Sequence, residues 1–106
     1  MTTQHKPVIY QELDSVGNDF LQIQDALLNG ETDVNLLAFS CQYNGYLVEY
    51  DMDGQVYITK LDHTGKMPTD SLYWDGRTTV VDCTACNSED DLYCLWNEEV
   101  KPILKR

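Results

Sequence analysis

The chain has 106 residues and 12.2 kDa, 42% of them apolar, with 18 acidic against 7 basic side chains and a formal net charge of −11. That length and ordinary apolar content support one modest core and fit a single acidic domain over residues 1–106, which excludes the disordered, collagen-like and fibrous classes. Three of the seven bases (Lys101, Lys105, Arg106) lie in the last six residues, so residues 1–100 hold 18 acids against 4 bases; such a surface repels nucleic acid and anionic membranes and steers basic proteins over a Debye length of ~8–10 Å.

The opening residues 1–7 hold no apolar stretch of signal-peptide length, and no later run approaches the roughly 18 apolar residues of a membrane span. The expected location is the cytoplasm, with the four cysteines as thiols or metal ligands, not disulfides.

From Pro7 onward, Ile9, Leu13, Val16, Phe20, Ile23 and Leu27 recur at alternating spacings of four and three. This stripe predicts a helix with Pro7 in its first turn and Gly30 at its stop. Gly17-Asn18 is its weak point, because a mid-helix glycine costs ~1 kcal/mol relative to alanine, and two short helices are the alternative.

Residues 36–62 carry the strongest local signal. Asn44-Gly45 and Asp53-Gly54 are hairpin dipeptides flanked by alternating apolar residues, which predicts a three-stranded meander. A two-residue turn at Asn44-Gly45 pairs Tyr43 with Tyr46, Cys41 with Val48 and Phe39 with Tyr50. At the second turn, a three-residue Met52-Asp53-Gly54 loop with a glycine bulge sets Tyr50 opposite Val56 and Val48 opposite Ile58. This register keeps Leu37, Phe39, Cys41, Tyr43, Tyr46, Val48, Tyr50, Val56 and Ile58 on one inner face. The opposite face, with Leu47, Glu49, Gln55, Tyr57 and Thr59, reads as half solvated.

Beyond Gly65 and Pro68, Leu72-Tyr73-Trp74, Asp75-Gly76 and residues 77–82 suggest a further hairpin. Ser88 then caps a last helix, with Glu89, Asp90 and Asp91 in the turn where the helix dipole favours negative charge. Leu92, Leu95 and Trp96 anchor it, and Pro102 is expected to end it. The predicted fold is α+β: an N-terminal helix packed on an antiparallel meander of about five strands, with a C-terminal helix.

Chemistry-bearing patterns are sparse. Cys83-Thr84-Ala85-Cys86 has metal-like spacing, and Cys41 with Cys94 would complete a zinc tetrad, although the second paired knuckle of a zinc ribbon is missing. Buried structural thiols are the favoured reading. A redox dithiol is opposed by Asp82, Glu89, Asp90 and Asp91, which destabilise a thiolate. A calcium loop starting at Asp51 fails, with Val56 where glycine is needed and Asp62 where a bidentate glutamate is needed. His5 and His63 have no partner at triad spacing, and the glycines are scattered as turn and stop residues, not gathered into a phosphate loop.

With no nucleophile, base or cofactor motif, the chain is expected to bind and not to catalyse. Carboxylates on a rigid scaffold, interleaved with aromatics, suit a basic groove in which they stand where phosphates would. The leading expectation is a stoichiometric inhibitor of a nucleic-acid-handling protein such as a nuclease, of the phage counter-defence or toxin-immunity type, acting as monomer or homodimer without cofactor. The candidate partner-binding residues are Glu49, Asp51 and Asp53 at one hairpin, Asp75 at the second, and Glu89, Asp90 and Asp91 at the last helix start. One alternative is an adaptor or chaperone binding a partner segment on an open sheet face near Leu47, Tyr57 and Leu61. Another is a small zinc-binding module through Cys83 and Cys86.

Overall fold

The computed structural model describes residues 7–33, 37, 39–62 and 78–106. The first of them are not helical. Val8–Ile9 forms a short strand, β1, and the helix α1 occupies Leu13–Leu28. Ile9, expected on the buried helical stripe, is 73% exposed. Its spacing to Leu13 fits a helix by coincidence. Pro7 and Val8 favour extended backbone, and β1 satisfies that backbone by pairing parallel to β2 (Ser40–Tyr43), with Val8 opposite Cys41 and the Tyr10 N–H donating to the Gln42 carbonyl at 3.1 Å. Helix α1 is the crossover between these two parallel strands.

Glycine at position 17 does not divide α1. A Cβ there would lie 2.8 Å from two ring carbons of Trp96, so glycine is what lets the indole press on the helix backbone. Gly30 ends the helix as expected. Its φ is +84°, its N–H donates to Leu27 at 3.0 Å and the following Glu31 N–H to Ala26 at 2.9 Å. This pairing satisfies carbonyls that the last helical turn leaves open.

The meander has the predicted registers. Strands β2 and β3 (Tyr46–Tyr50) pair with Cys41 opposite Val48 and Tyr43 opposite Tyr46, across a turn in which Asn44 and Gly45 have φ of 53° and 81°. Strand β4 (Gln55–Lys60) sets Val56 opposite Tyr50 and Ile58 opposite Val48, with Gly54 at φ +84°. Strand β5 (Thr78–Asp82) pairs antiparallel with β4. The strand expected at Leu72-Tyr73-Trp74 lies outside the described residues. The sheet order is β1-β2-β3-β4-β5, antiparallel except at β1.

Ser88 caps the C-terminal helix α2 (Glu89–Leu95) by accepting from the Asp91 N–H. Pro102 does not terminate it. The chain widens into a π-turn over Trp96–Val100, where the Lys101 N–H reaches the Trp96 carbonyl, and continues as α3 (Lys101–Leu104) with Pro102 in its first turn. A proline inside a regular α-helix lacks a needed N–H and crowds the carbonyl four residues earlier. Restarting the helix puts it where that N–H is not required.

Both helical segments contribute to one hydrophobic cluster with the inner sheet face. Phe20 stands at its centre, with ring centroids 5.5 Å from Trp96 and 6.5 Å from Tyr50. Burying each such large side chain contributes about 1.5–3 kcal/mol, and the aromatic pairs add about 0.5–1.5 kcal/mol each. The outer face is divided. Leu47 (6% exposed), Thr59 and Leu61 are buried, correcting the expectation of an open surface at Leu47 and Leu61, whereas Glu49, Gln55 and Tyr57 are half-buried. No helix among the described residues is long and apolar enough to cross a membrane.

Candidate acidic interface

Acids from two stretches far apart in sequence, 51–53 and 82–91, meet at one end of the sheet. The β3–β4 turn carries Asp51 and Asp53, and the β4–β5 register brings Asp82 opposite Gln55. The Cys83 N–H then donates to the Gly54 carbonyl at 2.9 Å, which ties the β5–α2 loop to the turn. A turn closed from the Cys86 N–H to the Cys83 carbonyl at 3.1 Å leads directly to Glu89, Asp90 and Asp91. Asp91 and Asp82 both push the Cys86 thiol upward, after the larger effect of its burial, so both carboxylates act on the same point.

Within this group the carboxylates differ in what they already do. Asp51 accepts from the N–H groups of Asp53 (2.9 Å) and Gln55 (3.1 Å) and from the Tyr57 hydroxyl (3.0 Å), whose proton is held more tightly as a result. Asp82 accepts from the Thr84 hydroxyl at 2.6 Å and its N–H at 2.9 Å, which lowers its pKa. Asp91 accepts from the Asn87 N–H at 2.9 Å while its own N–H donates to Ser88. Asp53, Glu89 and Asp90 are exposed. Glu49 lies farther along the outer face, opposite Tyr57, and Asp75 falls outside the described residues.

Asp82 is the member of the group that spacing along the chain does not single out. Its place depends on which residue of β4 it faces, and that register is set by pairing across a long connection.

The described bases are elsewhere. Lys60 pairs with Tyr46 at the far end of the β3–β4 ladder, and the adjacent Leu61 N–H donates to the Gly45 carbonyl at 2.9 Å. Asn44 donates from Nδ2 to the Leu104 carbonyl at 2.8 Å, which brings the segment with Lys101, Lys105 and Arg106 to that same end. Lys60, Lys101, Lys105 and Arg106 are all the bases among the described residues. Glu98 and Glu99 precede Lys101, so the basic end is mixed in sign while the acidic end has no described base.

Beside the acids is a cleft of about 250 Å³ between the last turn of α1, the β3–β4 turn and the Cys83–Cys86 loop. Gln24, Leu27, Leu28, Met52 and Leu92 line it together with Cys83.

The four cysteines do not form a tetrad. Cys41 and Cys83 are buried in the core, Cys86 is half-buried and Cys94 is exposed; all are free thiols. Among the described residues no three His, Cys, Asp or Glu side chains form a metal-holding group, which corrects the zinc arrangement drawn from Cys41, Cys83, Cys86 and Cys94. Burial pushes the Cys41 and Cys83 thiols to about 12, opposite to the lowering that an attacking redox thiol needs. Titration with a chromogenic thiol reagent is expected to give one fast thiol, Cys94, a slower Cys86, and no reaction of Cys41 and Cys83 until denaturant is added. A second fast thiol retained in a Cys94→Ser variant would contradict this burial.

Burial also raises the pKa of Glu49 above its ordinary 4.5. Its charged form therefore opposes folding at neutral pH, and this opposition disappears as pH falls from above the raised value through 4.5, where both folded and unfolded chains are protonated. Glu49→Gln is expected to raise the melting temperature at pH 7 and to lose that gain in acid; thermal melts across pH check it, and a gain constant with pH would assign it to packing.

Comparison with protein-family models, curated proteins and solved structures gives no match, so the functional reading rests on these residues and their geometry.

Proposed function

We propose that the chain is a stoichiometric protein inhibitor that docks its acidic end into the basic groove of a nucleic-acid-handling protein, such as a nuclease, in place of nucleic acid. It acts by binding and not by catalysis, as a phage counter-defence or toxin-immunity protein would. The observation that carries the reading is the separation of charge. Asp51, Asp53, Asp82, Glu89, Asp90 and Asp91 share one end, and every described base lies toward the other.

Rigidity supports the same reading. Asp51, Asp82 and Asp91 are held by backbone and hydroxyl donors, so their charges need little ordering when a partner arrives. Exposed Asp53, Glu89 and Asp90 are available to guanidinium and ammonium groups. Close, desolvated charge pairs contribute about 1.5–7 kcal/mol of coupling, whereas rim pairs mainly speed association. The six acids come from the β3–β4 turn, the last residue of β5 and the start of α2.

Affinity capture from host lysate on the immobilised chain, repeated at low and high salt and with duplex DNA as competitor, tests the proposal. The expected partner is a basic nucleic-acid-binding protein displaced by salt and by DNA. A partner held equally at high salt and indifferent to DNA would overturn it.

A further inference from the structure

We infer that the cleft beside the acidic end is the anchoring point of that interface, and that it takes one large apolar side chain carried on a basic polypeptide segment of the partner. The inference rests on the proposed docking into a basic protein and adds to it the chemistry of the contact.

The first observation is the cleft's lining. Leu27, Leu28, Met52 and Leu92 give it apolar walls beside the polar Gln24, Asp53 and Thr84, and Leu28 and Met52 are left 39% and 48% exposed at its rim. Its volume, about 250 Å³, is below the roughly 300–1,000 Å³ of pockets for drug-sized molecules and suits a single side chain.

The second observation is independent of the first. Gln24, on the inward side of α1, is only 1% exposed, and its Nε2 has no hydrogen-bond partner. A buried donor left unpaired is costly, and buried polar groups in folded proteins are seldom left so. Gln24 lines the cleft, so an acceptor entering with the ligand would satisfy this amide.

The acceptor's chemistry follows from the surroundings. Asp53 is part of the lining, and Asp82 and Asp91 flank Cys86, which also lines it. A carboxylate or phosphate acceptor would be repelled there. A backbone carbonyl is neutral and arrives with any polypeptide, and lysine or arginine residues beside the apolar one would meet the three aspartates. The result has the usual anatomy of a protein interface: an apolar centre that excludes water, bounded by charge pairs at the rim.

Two synthetic peptides test this, acetyl-Lys-Arg-Leu-Arg-Lys-amide and the same peptide with serine in place of leucine. They carry equal charge and differ only in the side chain offered to the cleft. Titrated into the intact chain at low salt and followed by NMR, the leucine peptide is expected to bind roughly 10-fold to 100-fold tighter and to shift the signals of Leu27, Leu28 and Met52. Leu28→Ser with Met52→Ser, at exposed positions where folding is not at risk, is expected to remove this preference while leaving the serine peptide's affinity unchanged. Gln24→Met is expected to weaken the leucine peptide several-fold.

Equal, salt-sensitive binding of both peptides would overturn the anchoring role and leave the acidic docking surface standing. A leucine preference that survives in the Leu28→Ser, Met52→Ser variant would place the apolar contact elsewhere and overturn the inference. A leucine preference insensitive to salt would support the cleft and overturn the charge-based reading. Binding of neither peptide at low salt would overturn both.

Discussion

Gly17→Ala is expected to destabilise the protein by about 1–3 kcal/mol, although the same exchange in an open helix stabilises it by about 1 kcal/mol. The position the new methyl group would take is 2.8 Å from the Trp96 ring, which is buried and packed at a tilt against Phe20 with centroids 5.5 Å apart, so the indole must give up packing to make room. Each kcal/mol lost lowers the melting temperature of a chain this size by roughly 4–8 °C. Trp96→Phe alone costs stability by leaving a void, but its smaller ring makes room for the methyl group. The double variant Gly17→Ala, Trp96→Phe should therefore be more stable than the two separate losses predict. Chemical denaturation of the four chains measures this coupling. Strict additivity would mean that the methyl group and the indole do not compete for the same space.

Reversing Asp53, Glu89 and Asp90 together to lysine is expected to weaken association with a basic partner by at least roughly 10-fold per site. The fold should lose far less, because all three side chains are exposed. Glu89 and Asp90 give up a favourable interaction with the start of α2, about 0.3–1 kcal/mol each, and relief of repulsion among neighbouring acids offsets part of it. Asp51→Lys makes the contrasting case. Its carboxylate accepts three hydrogen bonds that shape the β3–β4 turn, and losing contacts to a charged acceptor costs about 1.5–3 kcal/mol each. Asp51→Lys should thus fail by unfolding and the triple variant by losing its partner. Melting curves taken beside binding isotherms separate the two, and equal losses of stability and affinity in the triple variant would show that these acids serve the fold.

That contrast also marks how far the candidate site was legible in the chain. The acids were conspicuous by number, and the turn at Asp51–Gly54 and the cap at Ser88 placed most of them on identifiable elements. What spacing could not show is that Asp51 and Asp91 are committed to the backbone around them, or that Asp82 joins the group. Hydrogen bonds to a turn's own amides depend on dihedral angles, and the position of Asp82 depends on a β4–β5 register that no local pattern specifies.

Sequence by itself determined the features whose cause is local. Asn44-Gly45 can adopt the two positive φ angles of a tight hairpin, Gly54 fits the bulged loop, Gly30 stops α1, and period-two alternation then leaves one register that keeps Cys41, Val48, Tyr50, Val56 and Ile58 on one face. Tertiary structure decided the features that depend on which distant groups become neighbours. Ile9 left the helical stripe because the edge of β2 offered its segment backbone partners. Gly17 became necessary because Trp96 occupies the space where its side chain would be. Pro102 was accommodated because a π-turn moves it to the start of a new helical segment. The same holds for charge: composition sets its sum, but its division into an acidic end and a base-bearing end follows from the antiparallel run of α1 and α2 and the opposed turns of the meander, which only the folded chain brings into register.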